Sequence, residues 1–357
     1  MKNKLGICAA IIFILLTACT KQTGAANTGN NNGNNTDTTH TDTTGTAATF
    51  FAKGADVSWL TQMEASGYKF YDSTGTSKDC LQLLKSLGIN AIRLRAWVNP
   101  SDGWCGTSDL VVKAKRAAVL GMAVMIDFHY SDSWADPGKQ NKPASWSGLD
   151  LAGLDSAVYQ YTFHVLDTLK SNGITPQWVQ IGNETNDGML WEDGRASSHM
   201  ANFAELVKSG YTAVKAVFDS AKVIVHLSNG YDNSLYRWIF DGLKSYGVKW
   251  DIIGMSLYPD PASWSVTDQQ CLANMNDMVA RYGTPVMICE AGMRADDPSD
   301  AEAFLKDLIA RTKAVTGSKG LGVFYWEPEC YNNWQGYTLG AFDNTGKPTA
   351  AMNAFHN

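Results

Sequence analysis

Two glutamates each stand at the end of an apolar run that has the pattern of a buried β-strand. Glu184 ends the run of residues 178–184, and Glu290 ends the run of residues 285–290. Such runs are typical of strands buried on both faces, as in parallel sheets. A carboxylate in that position is costly unless it is paired or used. Glycoside hydrolysis requires two carboxyl groups, one to protonate the leaving oxygen and one to attack the anomeric carbon.

The chain that must position these glutamates alternates between strands and amphipathic helices. Strands are predicted at residues 50–58, 90–97, 122–130, 178–184, 222–229, 251–258, 285–290 and 320–326. Helices are predicted at residues 77–87, 109–120, 155–171 (capped by Asp155), 199–218, 233–245 and 267–282, then after the capping pair Ser299 and Glu302, and at the C-terminus. Eight strands alternating with eight helices predict an α/β fold, a (β/α)8 barrel. A doubly wound open sheet is the alternative, but no Gly-x-Gly-x-x-Gly turn follows the first strand.

In a barrel of this kind, active-site groups cluster after the C-terminal ends of the strands. Strands four and seven lie roughly opposite each other, so their glutamates can face each other at the roughly 5 Å separation of a retaining glycosidase. We therefore assign Glu184 as the acid/base and Glu290 as the nucleophile. Asn183 is expected to bond the 2-hydroxyl of the sugar under attack, and Tyr258 to orient Glu290.

The other polar residues at strand ends each have two interpretations. Arg95 is expected to lie under the nucleophile and keep its carboxylate ionised, with a structural ion pair as the alternative. His129 is either a site residue or a hydrogen-bonded core histidine. Asp127 is interpreted as a buried hydrogen-bond anchor. Glu327 is expected to bond sugar hydroxyls or neighbouring site groups.

The N-terminus has the pattern of an export signal. Lys2 and Lys4 precede an apolar run too short to span a membrane, and small residues then precede Cys19. This resembles a bacterial lipobox, which implies cleavage before Cys19 and lipidation of its thiol; an ordinary signal peptide with an incidental cysteine is the alternative. We expect a signal peptide over residues 1–18, a disordered tether over 19–48 and one catalytic domain over 49–357. The expected location is the bacterial cell envelope, at the outer membrane, facing either the periplasm or the exterior.

Charge and composition limit the partners. The formal charge is −6, or −8 without Lys2 and Lys4 (27 basic against 35 acidic residues), which argues against nucleic acid. Twelve Trp and fourteen Tyr suit stacking on sugar rings, although aromatic residues also fill cores. The cysteine spacings match no zinc site, so no metal ligands are assigned, and Cys289 is expected to be a buried small hydrophobe.

Several stretches resemble glycoside hydrolase family 53, the endo-β-1,4-galactanases of clan A. The most specific are Arg-x-Arg-x-Trp-Val-Asn-Pro at residues 93–100 and His-Tyr-Ser-Asp-x-Trp-Ala-Asp-Pro at residues 129–137. Residues 54–58, 181–184 and 324–328 add to them, so that the resemblance runs from about residue 54 to the C-terminus. It implies retaining hydrolysis of β-1,4-galactan or arabinogalactan, the side chains of pectin. It also places Trp97, His129, Asn183, Tyr258 and Trp326 in the sugar cleft.

The resemblance implies that no cofactor is required, although some relatives hold calcium near loops where Asp296, Asp297 and Asp300 stand here. We expect a monomer whose partners are the polysaccharide and, through Cys19, a membrane. Two other functions stay open. One is another clan A activity, on β-mannan, β-glucan or xylan. The other is a surface lipoprotein that binds glycans without cleaving them.

Overall fold

The computed structural model describes residues 50–356, in which eight parallel strands close into a barrel. The barrel strands β1–β8 are Ala52–Asp56, Ala91–Ala96, Ala123–Phe128, Trp178–Ile181, Lys222–Leu227, Ile252–Leu257, Val286–Ala291 and Gly320–Trp326. The helices α1–α8 are Leu60–Ala65, Cys80–Ser86, Thr107–Val119, Leu151–Ser171, Ala196–Val217, Asn233–Ser245, Trp264–Tyr282 and Pro298–Lys313. Short 3-10 helices are Ala144–Trp146, Thr316–Ser318, Trp334–Gly336 and Ala350–Phe355. Each strand pairs with its sequence neighbour and β8 pairs with β1, which confirms the (β/α)8 barrel and excludes the open sheet.

Helix beginnings differ from the sequence-based expectations. The predicted caps of α4 and α8 were wrong: α4 is capped by Asp150, whose carboxylate accepts from the Gly153 N–H at 2.8 Å. Helix α8 is capped by Asp297 rather than by Ser299, and Pro298 occupies its first turn. In both cases an earlier aspartate satisfies the free N–H groups of the first turn, so the helix begins upstream of the predicted residue.

The segment between β1 and α2 was also mispredicted. Residues Ser77–Lys78 pair with Phe70–Tyr71 in a small antiparallel hairpin, so α2 begins at Cys80 instead of residue 77. The short helix α1, directly after β1, was missed. It spans only six residues, too few for apolar periodicity to reveal it.

The bottom of the barrel is closed by a cluster of apolar side chains. Trp178 and Phe324 meet edge to face there with 6.0 Å between ring centroids, and Cys289 lies in the same cluster, as predicted. Gly54 is required beside Phe324, because a Cβ atom at residue 54 would lie 2.1 Å from its ring. The cavity described below is lined instead by residues near the C-terminal ends of the strands and from the loops that follow them.

The predicted signal peptide, tether and lipidation site at Cys19 lie outside the described residues. Among residues 50–356 there is no helix with the length and apolar character needed to cross a membrane.

Candidate active site

Glu290 reaches the barrel interior because of a β-bulge in β7. Met287 and Cys289 pack inside the barrel, so strict alternation would turn Glu290 outward together with Ile288. The pairing with β6 shifts register between Met255–Ile288 and Ser256–Glu290. The extra residue turns the Glu290 side chain toward the cleft, which is the effect of a bulge.

Glu184 is placed by a turn rather than by a strand. Strand β4 ends at Ile181, and Gly182 and Glu184 have φ values of 79° and 46°. A Cβ atom on Gly182 would lie 2.5 Å from the Thr185 side chain, so the turn requires glycine. Glu184 and Glu290 both line one cavity of about 360 Å³. Its other lining residues are His129, Trp134, Ala135, Asp136, Asn183, Tyr258, Trp326, Tyr337 and Leu339.

The carboxylate of Glu290 is held by one cation and one hydroxyl. Arg93 Nη2 lies 2.7 Å from Oε1, and the Tyr258 hydroxyl donates to Oε2 at 3.1 Å. The buried Arg93 also contacts Asp56 at 2.6 Å and Asp127 at 2.9 Å. Arg93 therefore does what was predicted for Arg95: it lies under the nucleophile and favours its ionised form.

The prediction for Arg95 needs correction, and of the two roles predicted for Glu327 the structure shows the bond to neighbouring groups of the site. Arg95 Nη1 lies 2.6 Å from Glu327 Oε1, and both side chains are buried, so neither reaches a sugar. The structural ion pair, which was the alternative, is the arrangement found. Arg93 lies two residues deeper in β2 than Arg95, and its long side chain reaches Glu290. Arg95, near the C-terminal end of the strand, pairs with Glu327 instead.

The two cleft glutamates influence each other's protonation. Burial raises the pKa of Glu184 above its usual range. Burial also raises the pKa of Glu290, the Arg93 guanidinium lowers it, and the charge of Glu184 raises it again. The Arg93 guanidinium contacts Glu290 directly and acts on Glu184 only from a greater distance, so we infer that a proton held by the pair resides on Glu184. The arrangement therefore provides an acid and a carboxylate in one cleft.

Asn183 lines the same cavity as the two glutamates and is fixed by the protein. Its Oδ1 accepts from Arg93 Nη2 at 2.9 Å, and its Nδ2 donates to the Ala135 carbonyl at 2.8 Å. An amide nitrogen carries two hydrogens, so the second can donate to a sugar hydroxyl in the cavity. The expected contact with the 2-hydroxyl stays a prediction.

His129 connects a tryptophan to the barrel. Its Nδ1 accepts from the Ala135 N–H at 3.0 Å and from Trp97 Nε1 at 3.3 Å. The other nitrogen, Nε2, must then carry the hydrogen, and it donates to Asp127 Oδ2 at 3.0 Å. Asp127 is thus the hydrogen-bond anchor that the sequence indicated, and His129 holds Trp97 in place.

A second cavity of about 460 Å³ lies beside the glutamates, and tryptophans dominate its wall. It is lined by Trp97 and Trp326, which the sequence placed in the cleft, and by Trp59, Trp134 and Tyr337. Trp326 and Tyr337 line both cavities, so the two form one extended cleft. Trp59 and Tyr337 were missed, because nothing in their local sequence distinguishes them from core aromatics.

A buried histidine near Glu184 was also missed. The Nδ1 atom of His226 lies 3.0 Å from Gln180 Nε2, and its Nε2 atom lies 2.9 Å from Ser256 Oγ. Burial, reinforced by Arg93, lowers its pKa well below the usual value, so the ring is neutral. The period of two along β5 turns His226 inward, and that alternation is the signal that could have revealed it.

The three aspartates considered for calcium do not fit a metal site. Asp296 pairs with Arg294, and Asp297 caps α8 by accepting from the Asp300 N–H. Within residues 50–356, the one cluster with metal-like spacing is Glu327, Glu329 and Cys330, whose candidate ligand atoms lie within 4.8 Å of one another. Arg95 already neutralises Glu327 in that cluster.

Replacing Tyr258 with phenylalanine removes the hydroxyl that donates to Glu290. We expect kcat/KM to fall about 10- to 100-fold, since one hydrogen bond to a charged group contributes about 1.5–3 kcal/mol. The acidic limb of the pH profile should move to higher pH, because the remaining carboxylate is easier to protonate. Initial rates measured against pH test this; Tyr211→Phe on α5 is the matched control. An unchanged acidic limb would contradict an orienting role for Tyr258.

Comparison with known proteins relates these features to one family. The model of "Glycosyl hydrolase family 53" matches residues 52–355. A probable arabinogalactan endo-β-1,4-galactanase A of Neosartorya fischeri is 36% identical over 311 residues, covering 80% of this chain and 86% of that protein. The arabinogalactan endo-β-1,4-galactanase of Thermothelomyces thermophilus is 32% identical over 302 residues, covering 79% and 90%.

Solved structures agree with the sequence comparison. One of two fungal β-1,4-galactanases superposes with a TM-score of 0.79 at 30% identity, covering 85% of this chain and 98% of that one. The family 53 catalytic domain of Ignisphaera aggregans also has a TM-score of 0.79, at 31% identity, covering 86% and 95%. The sequence comparison and the structure comparison thus find the same kind of protein, galactanases and family 53 enzymes, over nearly all of the described residues.

Proposed function

The chain belongs to glycosyl hydrolase family 53, and from that premise we propose that it is a retaining endo-β-1,4-galactanase. One observation carries the proposal: Glu184 and Glu290 line a single cavity, and only Glu290 is paired with a buried cation. Three of the relatives reported above, all fungal, are named as galactanases of arabinogalactan or β-1,4-galactan. Family 53 glycosidases act without a cofactor, and protein carboxyl groups suffice for the chemistry.

The two glutamates divide the reaction between them. Glu290 attacks the anomeric carbon while Glu184 gives its proton to the leaving glycosidic oxygen, which forms a glycosyl ester and breaks the C–O bond. Glu184, now ionised, takes a proton from water as that water attacks the anomeric carbon and releases Glu290. Two inversions give net retention. Arg93 and Tyr258 keep Glu290 ionised and oriented through both steps.

The substrate is tested with purified polysaccharides. Reducing-sugar release is measured on linear β-1,4-galactan, arabinogalactan, β-mannan, β-glucan and xylan, and the anomer first formed is read by NMR. We expect turnover of the galactans with internal cleavage and a β-configured first product. Preferred turnover of mannan, glucan or xylan would contradict the galactan assignment, and binding without turnover at high enzyme concentration would indicate a glycan-binding protein.

We further propose that the chain is anchored to a bacterial envelope membrane through a lipid on Cys19. The support is the sequence: a basic start, a short apolar run and small residues before the cysteine. A polar segment between Cys19 and the barrel would then let the enzyme reach polymeric substrate away from the membrane.

Cys19→Ala should abolish incorporation of labelled fatty acid and release the protein from the membrane fraction, because the lipid is the anchor. Cys8→Ala, inside the predicted signal peptide, is the matched control and should leave both unchanged. Labelling and fractionation of cells expressing each form provide the measurement. Equal labelling of Cys19→Ala and wild type would favour an ordinary signal peptide.

A further inference from the structure

A buried arginine lies behind the tryptophan-lined part of the cleft. The guanidinium carbon of Arg95 is 4.3 Å from the ring centroid of Trp134, 5.0 Å from Trp59, 5.5 Å from Trp97 and 5.8 Å from Trp326. These four indoles line the cavity of about 460 Å³. The positions of the rings therefore depend on where this cation is held.

Glu327 holds that cation. Its carboxylate accepts from Arg95 Nη1 at 2.6 Å and from the Trp59 backbone N–H at 3.1–3.2 Å. Glu327 is fully buried, and its backbone lies in the left-handed region with φ 47°. A change in this carboxylate would be transmitted both to Arg95 and to the loop that carries Trp59.

Glu329 is the group that the mechanism leaves unexplained. It is fully buried, and within the described chain neither of its carboxyl oxygens has a hydrogen-bond partner while both glutamates are ionised. Its carboxyl group lies next to that of Glu327, and the charges acting on it come from Glu327 and Asp56. A second carboxylate would thus be buried beside two negative charges, which costs several kcal/mol.

A proton on Glu329 resolves this arrangement. The protonated carboxyl donates a hydrogen bond to Glu327, which keeps one negative charge opposite Arg95. Burial raises the pKa of Glu329 well above its usual value, and the charge of Glu327 raises it further. Burial also raises the pKa of Glu327, but Arg95 lowers it, so the proton of the pair belongs to Glu329.

A metal ion explains the cluster less well. The third candidate ligand is Cys330, and burial raises the pKa of its thiol well above the ordinary value. Metal ligation requires the thiolate. The ion would also lie close to Arg95, which already balances the charge of Glu327.

We propose that Glu329 is a positioning residue that carries the proton of the Glu327–Glu329 pair, and that it acts through Glu327 and Arg95 to hold the four tryptophans in the shape that binds the galactan chain. The galactan part rests on the function proposed above, whereas the proton does not. A neutral donor at residue 329 is what the arrangement requires.

Glu329→Gln tests the proton. Glutamine has nearly the same shape, stays neutral and can donate to Glu327. The folded state of the wild type binds this proton more tightly than the unfolded state does, where a glutamate has a pKa of about 4.3. The wild type should therefore lose stability relative to Glu329→Gln as pH rises above that value. Thermal unfolding should show the variant gaining at least about 2 °C on the wild type between pH 5 and pH 8.

Two further variants complete this test. Glu205→Gln, on the surface of α5, is the matched control and should show no such gain with pH. Glu329→Leu removes the donor and should raise KM on galactan at least 10-fold, while kcat on a short aryl β-galactobioside stays within about twofold. Glu329→Gln, which keeps a donor at this position, should have the KM of the wild type on galactan.

Three outcomes would overturn the proposal. The first is a steeper loss of stability with rising pH in Glu329→Gln than in the wild type. The second is an unchanged KM on galactan in Glu329→Leu. The third is one equivalent of bound metal in the purified wild type and none in purified Glu329→Gln. Absence of galactan turnover by the wild type would contradict the proposed function instead, and the unfolding comparison would still test the proton.

Discussion

Glu290→Ala should lower kcat on galactan by a factor on the order of 10⁴ or more, as removal of a covalent nucleophile does in other enzymes. The loss follows from position: Glu290 faces the cleft, paired with Arg93 and oriented by Tyr258. Without its carboxylate no glycosyl ester forms, and Glu184 alone cannot carry out the double displacement. Stopped assays at high enzyme concentration, with an unfolding control to show that the variant folds, provide the measurement.

Chemical rescue identifies the role and not only the importance of Glu290. Alanine leaves space on the face of the sugar that the carboxylate attacked, so added azide can attack there in a single inversion. The expected product from an activated aryl β-galactoside substrate is the α-galactosyl azide, identified by NMR. Glu327→Ala, which removes a buried carboxylate bonded to Arg95, is the control. It should lose activity without rescue. Formation of the β-azide by Glu290→Ala would reverse the assignment of the two glutamates.

The repeating architecture was predictable from the sequence because it is encoded locally. Each barrel strand is a short apolar run, and α6, Asn233–Ser245, has the bounds that its pattern predicted. The boundaries that failed depend on single side chains. Asp150 and Asp297 begin their helices because their carboxylates reach backbone N–H groups, and several nearby aspartates and serines could have done so equally well in sequence.

The sequence predicted which residues line the candidate site, but not how deep in the barrel each side chain lies. Residues at strand ends were expected to face the cleft, and Glu184, Glu290, Asn183 and Tyr258 do line it. The sequence could not tell which of two arginines, spaced two residues apart and on the same face of β2, would reach Glu290. That depends on the distance along the barrel axis. Arg93 reaches up from the deeper layer, and Arg95 pairs with Glu327.

The bulge in β7 shows a second limit of the sequence. A period of two from Met287 and Cys289 would turn Glu290 toward the helices. Only the pairing with β6 reveals the extra residue, and pairing is a property of two strands distant in the chain. Glu290 lines the cavity because the bulge re-aims its side chain, whereas local alternation alone would have placed it on the opposite face of the strand.

Glu184→Ala should behave differently from Glu290→Ala, because the contribution of a general acid to the rate depends on how strongly the leaving group requires protonation. On galactan, whose leaving group is a sugar hydroxyl, we expect kcat to fall by about 10³-fold, within the range ascribed to general acid–base catalysis. On a dinitrophenyl β-galactobioside the first step needs no proton, so its rate should stay close to that of the wild type. The glycosyl ester then accumulates as a burst, because no base activates water.

The pH profile completes the assignment of Glu184. Burial raises its pKa, so the wild-type rate on galactan should fall as pH rises through that raised value and the acid loses its proton. With the dinitrophenyl substrate, the burst rate of Glu184→Ala should lack that alkaline limb, since no proton is donated. Azide should speed turnover and give the β-galactosyl azide, because it attacks the glycosyl ester on Glu290 from the opposite face. If the burst rate of Glu184→Ala still falls at alkaline pH, that fall is caused by the titration of another group. Glu184 would then not be the acid.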